Sequence, residues 1–517
     1  MTADTIAALL ARRRHRAGHP LLVCDGARIG YAEAADRSAI LARRLIALGV
    51  GKNTHVGVLY PNGPDFVVAM LAAARIGAVV VPFSTFSTAR ELCWQLAHAD
   101  VAVLLATRRY RSHDYAHRLA EALQVHQLDL DVFTSATPQL RHILFDATDR
   151  TEHTECADAA TLAAMEADVD GCDPLTIVYT SGSTGTPKGA VHTHAALLEH
   201  QANLNEIRGL RSDDVLFSNS PFFWIGGFAF SLLATLVAGS TLLCSSALDP
   251  ADTLDLLEAE RPTITNGFAA GVTHLANHPS FRGRDLSMVR RGNLYPIMAA
   301  DARPADPELR HNMLGLTEAG SVVLICADES DQPEHRRGSF GRPAPGFETR
   351  VVDPTNGTDV ELDTVGELWL RGSYLMQRYH RHSREDCFDA DGWFHTGDMV
   401  RVDGEGFYYF LGRAGSMIKT AGANVSPAEV EKVLARLTGG SAHVVGLPDR
   451  DRGQLVAAVI AVDDAADFDP SGLRALLSAE LSAYKIPRKI LAISRSEVPL
   501  MSSGKVDIRV LTMLFDD

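Results

Sequence analysis

From residue 54 onward the chain alternates short, almost wholly apolar runs with longer amphipathic stretches. Residues 55–60, 78–82 and 101–105 read as strands. Residues 64–74 and 89–97 between them read as helices, the first with Pro64 in its opening turn. Near-continuous apolar strands separated by helices predict a parallel sheet covered on both faces. Residues 108–172 are polar and acidic with little periodicity, which suits peripheral helices and loops. The alternation resumes with strands over 175–180, 215–219, 241–244 and 263–265 and helices over 228–237, 250–259 and 269–277, predicting a second α/β sheet that begins at 175–180. Past Gly341 the period shortens to two. Residues 348–353, 366–371 and 407–413 then form a small β-rich subdomain, with turn residues at 354–357. A helix over 427–437, strands over 442–447 and 455–462, a helix over 471–482 and a strand over 489–494 complete an α+β unit. The expected fold class is therefore α/β. A large N-terminal domain (1–412, its β-rich subdomain at about 341–412) carries two α/β sheets, and a small mobile α+β C-terminal domain spans 413–517. Small residues at 413–416 suit a hinge between them.

Composition narrows the class. The length of 517 residues is enough for about three domains with cores of their own. A net charge of -15 argues against a broad nucleic-acid or anionic-lipid footprint, so an anionic ligand needs a local positive site. The 7 cysteines are scattered and never form a C-x-x-C pair, which points to a reducing compartment rather than a disulfide or zinc framework. No apolar run reaches the roughly 18 residues of a membrane span, and residues 6–16 read as an amphipathic opening helix, so a cytoplasmic location and no integral membrane segment are expected.

One stretch is chemically unlike its surroundings: Thr180, Ser181, Gly182, Ser183, Thr184, Gly185, Thr186, Pro187, Lys188 and Gly189, directly after the apolar strand at 175–180. Glycines let backbone approach a ligand closely, small hydroxyls add donors, and one lysine adds a point charge, which together suit a polyphosphate. It is not the Walker A spacing, because Pro187 stands where that loop has a glycine before its lysine. His192 and His194, two apart, have no acidic or cysteine partners at ligand spacing, and an ordinary polar role is expected for both.

Further motifs follow in order: Gly315-Leu316-Thr317-Glu318; Gly392-Trp393 through Thr396-Gly397-Asp398; Gly412-Arg413 with Ile418, Lys419 and Gly422; Pro427 through Glu431; and Pro499 through Gly504-Lys505. With the loop at 181–189 they match, over about residues 30–510, the motif order of one family. The chain resembles the adenylate-forming superfamily of acyl-CoA synthetases, peptide-synthetase adenylation domains and luciferases, and most resembles an acyl-CoA synthetase. The resemblance implies that a carboxylate and ATP give an acyl-adenylate and pyrophosphate, and that a thiol then displaces AMP. It implies that Thr184 and the amides of 180–185, with Lys188, hold the β- and γ-phosphates. Thr317 would bind the α-phosphate, Glu318 would coordinate Mg²⁺, a hard cation suited to carboxylate and phosphate oxygens, and Asp398 and Arg413 would bind the ribose. Lys505 would bridge carboxylate and α-phosphate in the first step. After rotation about the hinge at Gly415, Lys419 would serve the thioester step, and Gly422 would let the pantetheine arm of CoA pass close to backbone.

The chain departs from the family pattern in four places, one of them the hinge, where Gly415 replaces the usual Asp or Lys and should loosen the rotation. Leu314 stands where an aromatic commonly stacks on adenine, which removes a π face worth about 1 kcal/mol. Residues 291–298 replace the usual Gly-Gly-Ala-Pro segment, and Trp224 stands where histidine is common. Phe223 and Trp224 are expected to wall an apolar acyl pocket, with Gly226 and Gly227 leaving room for a bulky group. No acidic residue lies in 220–227 to pair an α-ammonium, so the expected substrate is a hydrophobic carboxylic acid rather than an amino acid. The acceptor is CoA or a carrier-protein phosphopantetheine. An oxygenase of luciferase type, which shares the first half-reaction, and a non-catalytic nucleotide-binding regulator are the remaining alternatives, the regulator opposed by the presence of Lys505, Glu318 and Asp398 together.

Overall fold

A computed structural model describes the chain except for residues 1–3, 127, 129–130, 132, 149–155, 181–185, 414–417, 463–467, 500–505 and 516–517. Among the described residues, one sheet has the strand order Arg378–Tyr379, Lys188–Thr193, Pro174–Thr180, Val79–Pro82, His55–Leu59, Val103–Ala106 and His142–Phe145. It is parallel from Pro174–Thr180 to His142–Phe145, and Lys188–Thr193 and Arg378–Tyr379 add antiparallel at one edge. A second sheet runs Arg291–Gly292, Ile264–Asn266, Val215–Ser218, Thr241–Cys244, Pro20–Cys24 and Ala27–Gly30. It is parallel except for the hairpin that joins its last two strands.

Two sheets were expected, but their membership differs. The strand at 174–180 belongs to the first sheet, where Thr176 pairs with Val80. The second sheet takes its outer strands from residues 20–30, a stretch whose short, uneven apolar pattern gave no strand signal. His142–Phe145 likewise emerges as an edge strand from the region expected to hold helices and loops. The helix Pro64–Ala74 fills the space between the sheets, and every side chain from Phe66 to Ala74 is buried. A helix apolar all round has this as its stable place, and truncating Leu71 to alanine would cost about 2–5 kcal/mol. The helix Ala89–His98 starts at a capping box in which Thr88 and Glu91 satisfy each other's backbone amides, worth about 1 kcal/mol.

The helix expected over 228–237 begins as a π turn, Phe228–Leu233, and only then becomes α, Ala234–Ala238. Residues 269–277 form a 3₁₀ turn and a single α turn rather than one helix. The helix expected to reach residue 482 ends at Ser478, Pro470–Ser478, which frees residues 479–485 for contacts elsewhere. A three-stranded antiparallel sheet (Leu314–Leu316, Ser321–Ile325, Arg342–Pro343) leads to a four-stranded one (Phe347–Val352, Gly366–Gly372, Phe394–Val402, Tyr408–Arg413). Ala423–Val425, Ile418–Thr420, Gly453–Val462, Ser441–Asp449 and Lys489–Ser494 build a further sheet with an apolar core of its own around Val430, Leu434, Ile460 and Leu477. None of the helices among the described residues is long and apolar enough to cross a membrane.

Candidate active site

The Gly/Ser/Thr loop joins two antiparallel strands whose register pairs Thr180 with Lys188. The loop is therefore the tip of a hairpin, and the lysine opens the returning strand opposite the last residue before the loop. Ser181, Gly182, Ser183, Thr184 and Gly185 lie outside the described residues, as do Gly415 and Lys505. Thr180 is half-buried. The Lys188 ammonium stands 4.9 Å from the centre of the Tyr379 ring, an attractive cation–π geometry. The Tyr379 hydroxyl in turn donates to Glu318 Oε1 at 2.7 Å. Burial and the Glu318 charge raise the Tyr379 pKa, so it stays a phenol donor. Tyr379 had no place in the sequence reading. It reaches the site because Arg378–Tyr379 pairs with Val191 and Ala190 on the hairpin's return strand, a long-range register that no local pattern announces.

Glu318 is buried at the turn between Leu314–Leu316 and Ser321–Ile325. The preceding carbonyl, that of Thr317, accepts from His192 Nε2 at 2.7 Å. Because a carbonyl only accepts, the His192 proton is on Nε2. His194 Nδ1 accepts from the Ile6 amide at 3.3 Å. Both imidazoles are buried, and burial pushes both down to about 4, so they are neutral structural groups, as expected. Gly315 is exposed, whereas Leu314 is buried in a core shared with Leu324 and Leu370.

Asp398 and Arg413 face each other in register on adjacent strands, with Arg413 Nε donating to Asp398 Oδ1 at 2.7 Å. Asp398 is 1% exposed, yet its Oδ2 has no hydrogen-bond partner among the described residues. A buried carboxylate oxygen left this way costs on the order of 1–3 kcal/mol, so the group is suited to a donor that the described residues do not supply. Burial raises the Asp398 pKa, while Arg413 and then Lys419 pull it back. Lys419 lies with its ammonium 4.6 Å from the Phe410 ring centre. Burial lowers its pKa, and Asp398 opposes that shift. Lys188, Glu318, Tyr379 and Arg413 line one cleft of about 500 Å³ together with Glu367 and His395.

A second constellation is aromatic. Trp224 has Phe223 at 5.5 Å, Phe86 at 6.4 Å, Phe268 at 6.2 Å and Tyr484 at 6.3 Å between ring centres. Asn219 pins the Phe268 segment by donating from Nδ2 to the Phe268 carbonyl and accepting the Phe268 amide at Oδ1, both at 3.0 Å. A Cβ on Gly422 would stand 2.4 Å from the Phe268 ring, and Gly422 sits at φ +84, a region that side chains disfavour. The Ile418–Val425 hairpin therefore straddles both constellations, Lys419 beside Asp398 and Gly422 against Phe268. Gly226 has only the Ser220 hydroxyl near its missing side chain, at 3.9 Å. Gly227 has a different reason to be glycine: a Cβ there would lie 2.0 Å from the Pro221 carbonyl oxygen. Its bareness admits the chain's own turn, which corrects the expectation that it leaves room for a substrate. In the segment that replaces Gly-Gly-Ala-Pro, Gly292 sits at φ +95, where a Cβ would lie 1.9 Å from the Thr265 carbonyl oxygen. Asn293 clasps the Gly267 backbone from both its amide atoms.

Comparison with known proteins agrees with this geometry. The profile of the AMP-binding enzyme family matches residues 10–380, and that of the AMP-binding enzyme C-terminal domain matches residues 429–505. A 3-[(3aS,4S,7aS)-7a-methyl-1,5-dioxo-octahydro-1H-inden-4-yl]propanoyl:CoA ligase of Mycobacterium tuberculosis is 32% identical over 519 residues, covering 97% of this chain and 97% of that protein. A feruloyl-CoA synthase of an Amycolatopsis species is 30% identical over 508 residues, covering 96% of each chain. Among solved structures, the amide bond synthetase McbA of Marinactinospora thermotolerans superposes with a TM-score of 0.78 at 25% identity, covering 98% of this chain and 99% of that one. The chain belongs to the AMP-binding, adenylate-forming enzyme family and is an acid–thiol ligase of that family, an AMP-forming acyl-CoA ligase.

Proposed function

We propose that this ligase activates a hydrophobic carboxylic acid carrying a ring or a branched skeleton and delivers it to the thiol of CoA. The observation that carries this reading is Phe268. One face of that residue belongs to the aromatic wall around Trp224, and the same ring meets Gly422, so the wall for an acyl group and the approach for a slender thiol arm share one side chain. No acidic residue lies in 220–227 to hold an amino group. The ferulic and fused-ring acids in the names of two relatives belong to the same chemical class.

In the first step a carboxylate oxygen of the substrate forms a bond to the α-phosphorus of ATP, and the bond from that phosphorus to the bridging oxygen breaks, releasing pyrophosphate. In the second the thiol sulfur forms a bond to the acyl carbonyl carbon, the carbon–oxygen bond to AMP breaks, and the thiol proton is released. Two anions meet in the first step, so the site has to gather positive charge. Lys188 and the loop at 180–185 hold the β- and γ-phosphates. Thr317 binds the α-phosphate. Asp398 accepts from the ribose hydroxyls with the oxygen that has no partner among the described residues, and Arg413 fixes its other oxygen. Glu318 offers the single carboxylate that Mg²⁺ asks of a protein when phosphates and water complete its shell, and the ion, when bound, neutralises phosphate charge. Lys505 serves the first step and Lys419 the second, residues 413–517 turning as a unit about 414–417.

The experiment is acid-dependent pyrophosphate release, with thioester formation followed by chromatography, across benzoate, cinnamate, cyclohexanecarboxylate, octanoate, acetate, malonate and phenylalanine with CoA present. The reading expects turnover of the first three at least about tenfold above the last four in kcat/KM. Preference for octanoate, acetate, malonate or phenylalanine would overturn it. Pyrophosphate release without a CoA thioester would reassign the acceptor to a carrier protein.

A further inference from the structure

Outside the active site, a buried polar cluster joins the Ala89–His98 helix to residues 480–485. Lys485 is buried, and its ammonium donates to Glu91 Oε1 at 2.9 Å and to Glu429 Oε1 at 2.8 Å. Glu91 receives from both sides of the junction. The Thr88 amide at 2.9 Å and the Ser482 hydroxyl at 2.6 Å both reach its Oε2, while Lys485 takes Oε1. Next to it Arg90 and Arg436 both reach Glu480, and Phe86 meets the Tyr484 ring at 6.1 Å between centres.

The arrangement is divided in an instructive way. Lys485 and Glu429 both come from the C-terminal part of the chain, and Glu91 and Thr88 from the large N-terminal part. If the parts separate, Lys485 keeps Glu429, and Glu91 keeps its own capping box. Each charged group keeps a partner on its own side, although Glu429 Oε2 has none among the described residues, so the junction can open without stranding a bare buried charge, the usual penalty for breaking such a pair. The closed junction coexists here with the Lys419 ammonium over the Phe410 ring and Gly422 against Phe268. Two carboxylates around one ammonium also make the lysine indispensable: without it Glu91 and Glu429 face each other as like charges in a site shielded from water.

We propose that Lys485, clasped between Glu91 and Glu429, is a positioning residue for the second half-reaction: it latches the C-terminal unit in the orientation that presents Lys419 and Gly422 to the site. This rests on the two-orientation reading of the reaction given above. Lys485 touches no reacting atom in this account. It acts by setting how much of the enzyme holds the thioester-forming arrangement, and an interaction that favours one state can shift populations only by its difference between the two.

The test measures two half-reactions separately on the full-length enzyme, with the panel acid that the unaltered protein uses best. Adenylation is read as acid-dependent exchange of labelled pyrophosphate into ATP, and thiolysis as CoA-dependent consumption of supplied acyl-adenylate. Lys485→Met is expected to lower thiolysis by at least about tenfold while leaving adenylation within about twofold, and Glu91→Gln to do the same more weakly. Lys485→Arg, which keeps a cation between the two carboxylates, is expected to retain at least about a third of the thiolysis that Lys485→Met loses. Equal loss in both half-reactions, or no loss in either, overturns the latch, as does failure of Lys485→Arg to retain more thiolysis than Lys485→Met. Lys419→Ala run in the same two assays separates the two levels. A selective loss of thiolysis there with no selectivity for Lys485→Met sinks the latch alone, whereas no selectivity in either sinks the two-orientation reading beneath it.

Discussion

At the scale of single residues, the site is marked by groups that the described residues leave incomplete. Asp398 keeps one buried oxygen without a partner among them, and Arg413 occupies the other. Asp398→Asn keeps the shape and removes the charge, so the KM for ATP in pyrophosphate release should rise by about 10–100-fold, the range for a charge-assisted hydrogen bond; an unchanged KM would remove Asp398 from nucleotide binding. Gly422 is the complementary case, a residue useful for what it lacks. Gly422→Ala puts a methyl 2.4 Å from the Phe268 ring at φ +84. Thiolysis should fall by at least about tenfold and adenylation should change little, as steady-state thioester formation and pyrophosphate exchange would reveal. The sequence announced these positions through motif spacing, because hydroxyls, a lysine and glycines at fixed intervals are local facts. It did not announce Tyr379 or Asn219. Both act through partners far away in the chain, Glu318 and Phe268, and nothing in their own neighbourhoods is unusual. It also misassigned the reason for Gly227, since the clash that forbids a side chain there is with the Pro221 carbonyl and is invisible without the turn.

At the scale of elements, the pieces with strong periodicity came through intact. Pro64–Ala74, Val79–Pro82 and Pro427–Thr438 fall where apolar runs and helix starts place them. What was not legible was membership: which sheet a strand joins depends on pairing between distant residues, so Pro174–Thr180 joins the first sheet rather than the second, and Pro20–Cys24 enters the second without having been expected as a strand. The loop after Thr180 gains its meaning at this scale. As a hairpin tip its two ends are held by the Thr180–Lys188 register, so Lys188 is carried by a strand anchored to Tyr379. Lys188→Ala and Thr184→Ala should each reduce adenylation by about tenfold or more and thiolysis of supplied acyl-adenylate by far less, because pyrophosphate has already left by the second step. Comparable loss in both assays would move the loop from phosphate clamp to general scaffold.

At the scale of the whole molecule, stability carries a pH signature. His192, His194 and His200 are buried, and burial pushes each down to about 4. Unfolded, each would titrate near 6.5. Below that value the unfolded chain binds protons that the folded one refuses, so stability is full above about 6.5 and is lost progressively as pH falls toward 4. Asp398 and Glu429, raised by burial, work in the opposite direction, but each is drawn back by a neighbouring cation, Arg413 and Lys485. The histidines should therefore prevail, with Tm falling by at least about 4 °C between pH 7.5 and 5 in a thermal-shift titration; a flat or rising profile would contradict this. The larger claim at this scale is that one chain runs two chemistries by presenting different lysines, with Lys419 in place beside Asp398 in the arrangement seen here. The most direct measurement is the pair of variants Lys505→Ala and Lys419→Ala, each assayed for pyrophosphate exchange and for thiolysis of supplied acyl-adenylate. The account predicts crossed losses: Lys505→Ala loses at least about 100-fold in exchange and keeps thiolysis, and Lys419→Ala keeps exchange and loses thiolysis. Parallel losses in both assays for both variants would contradict it.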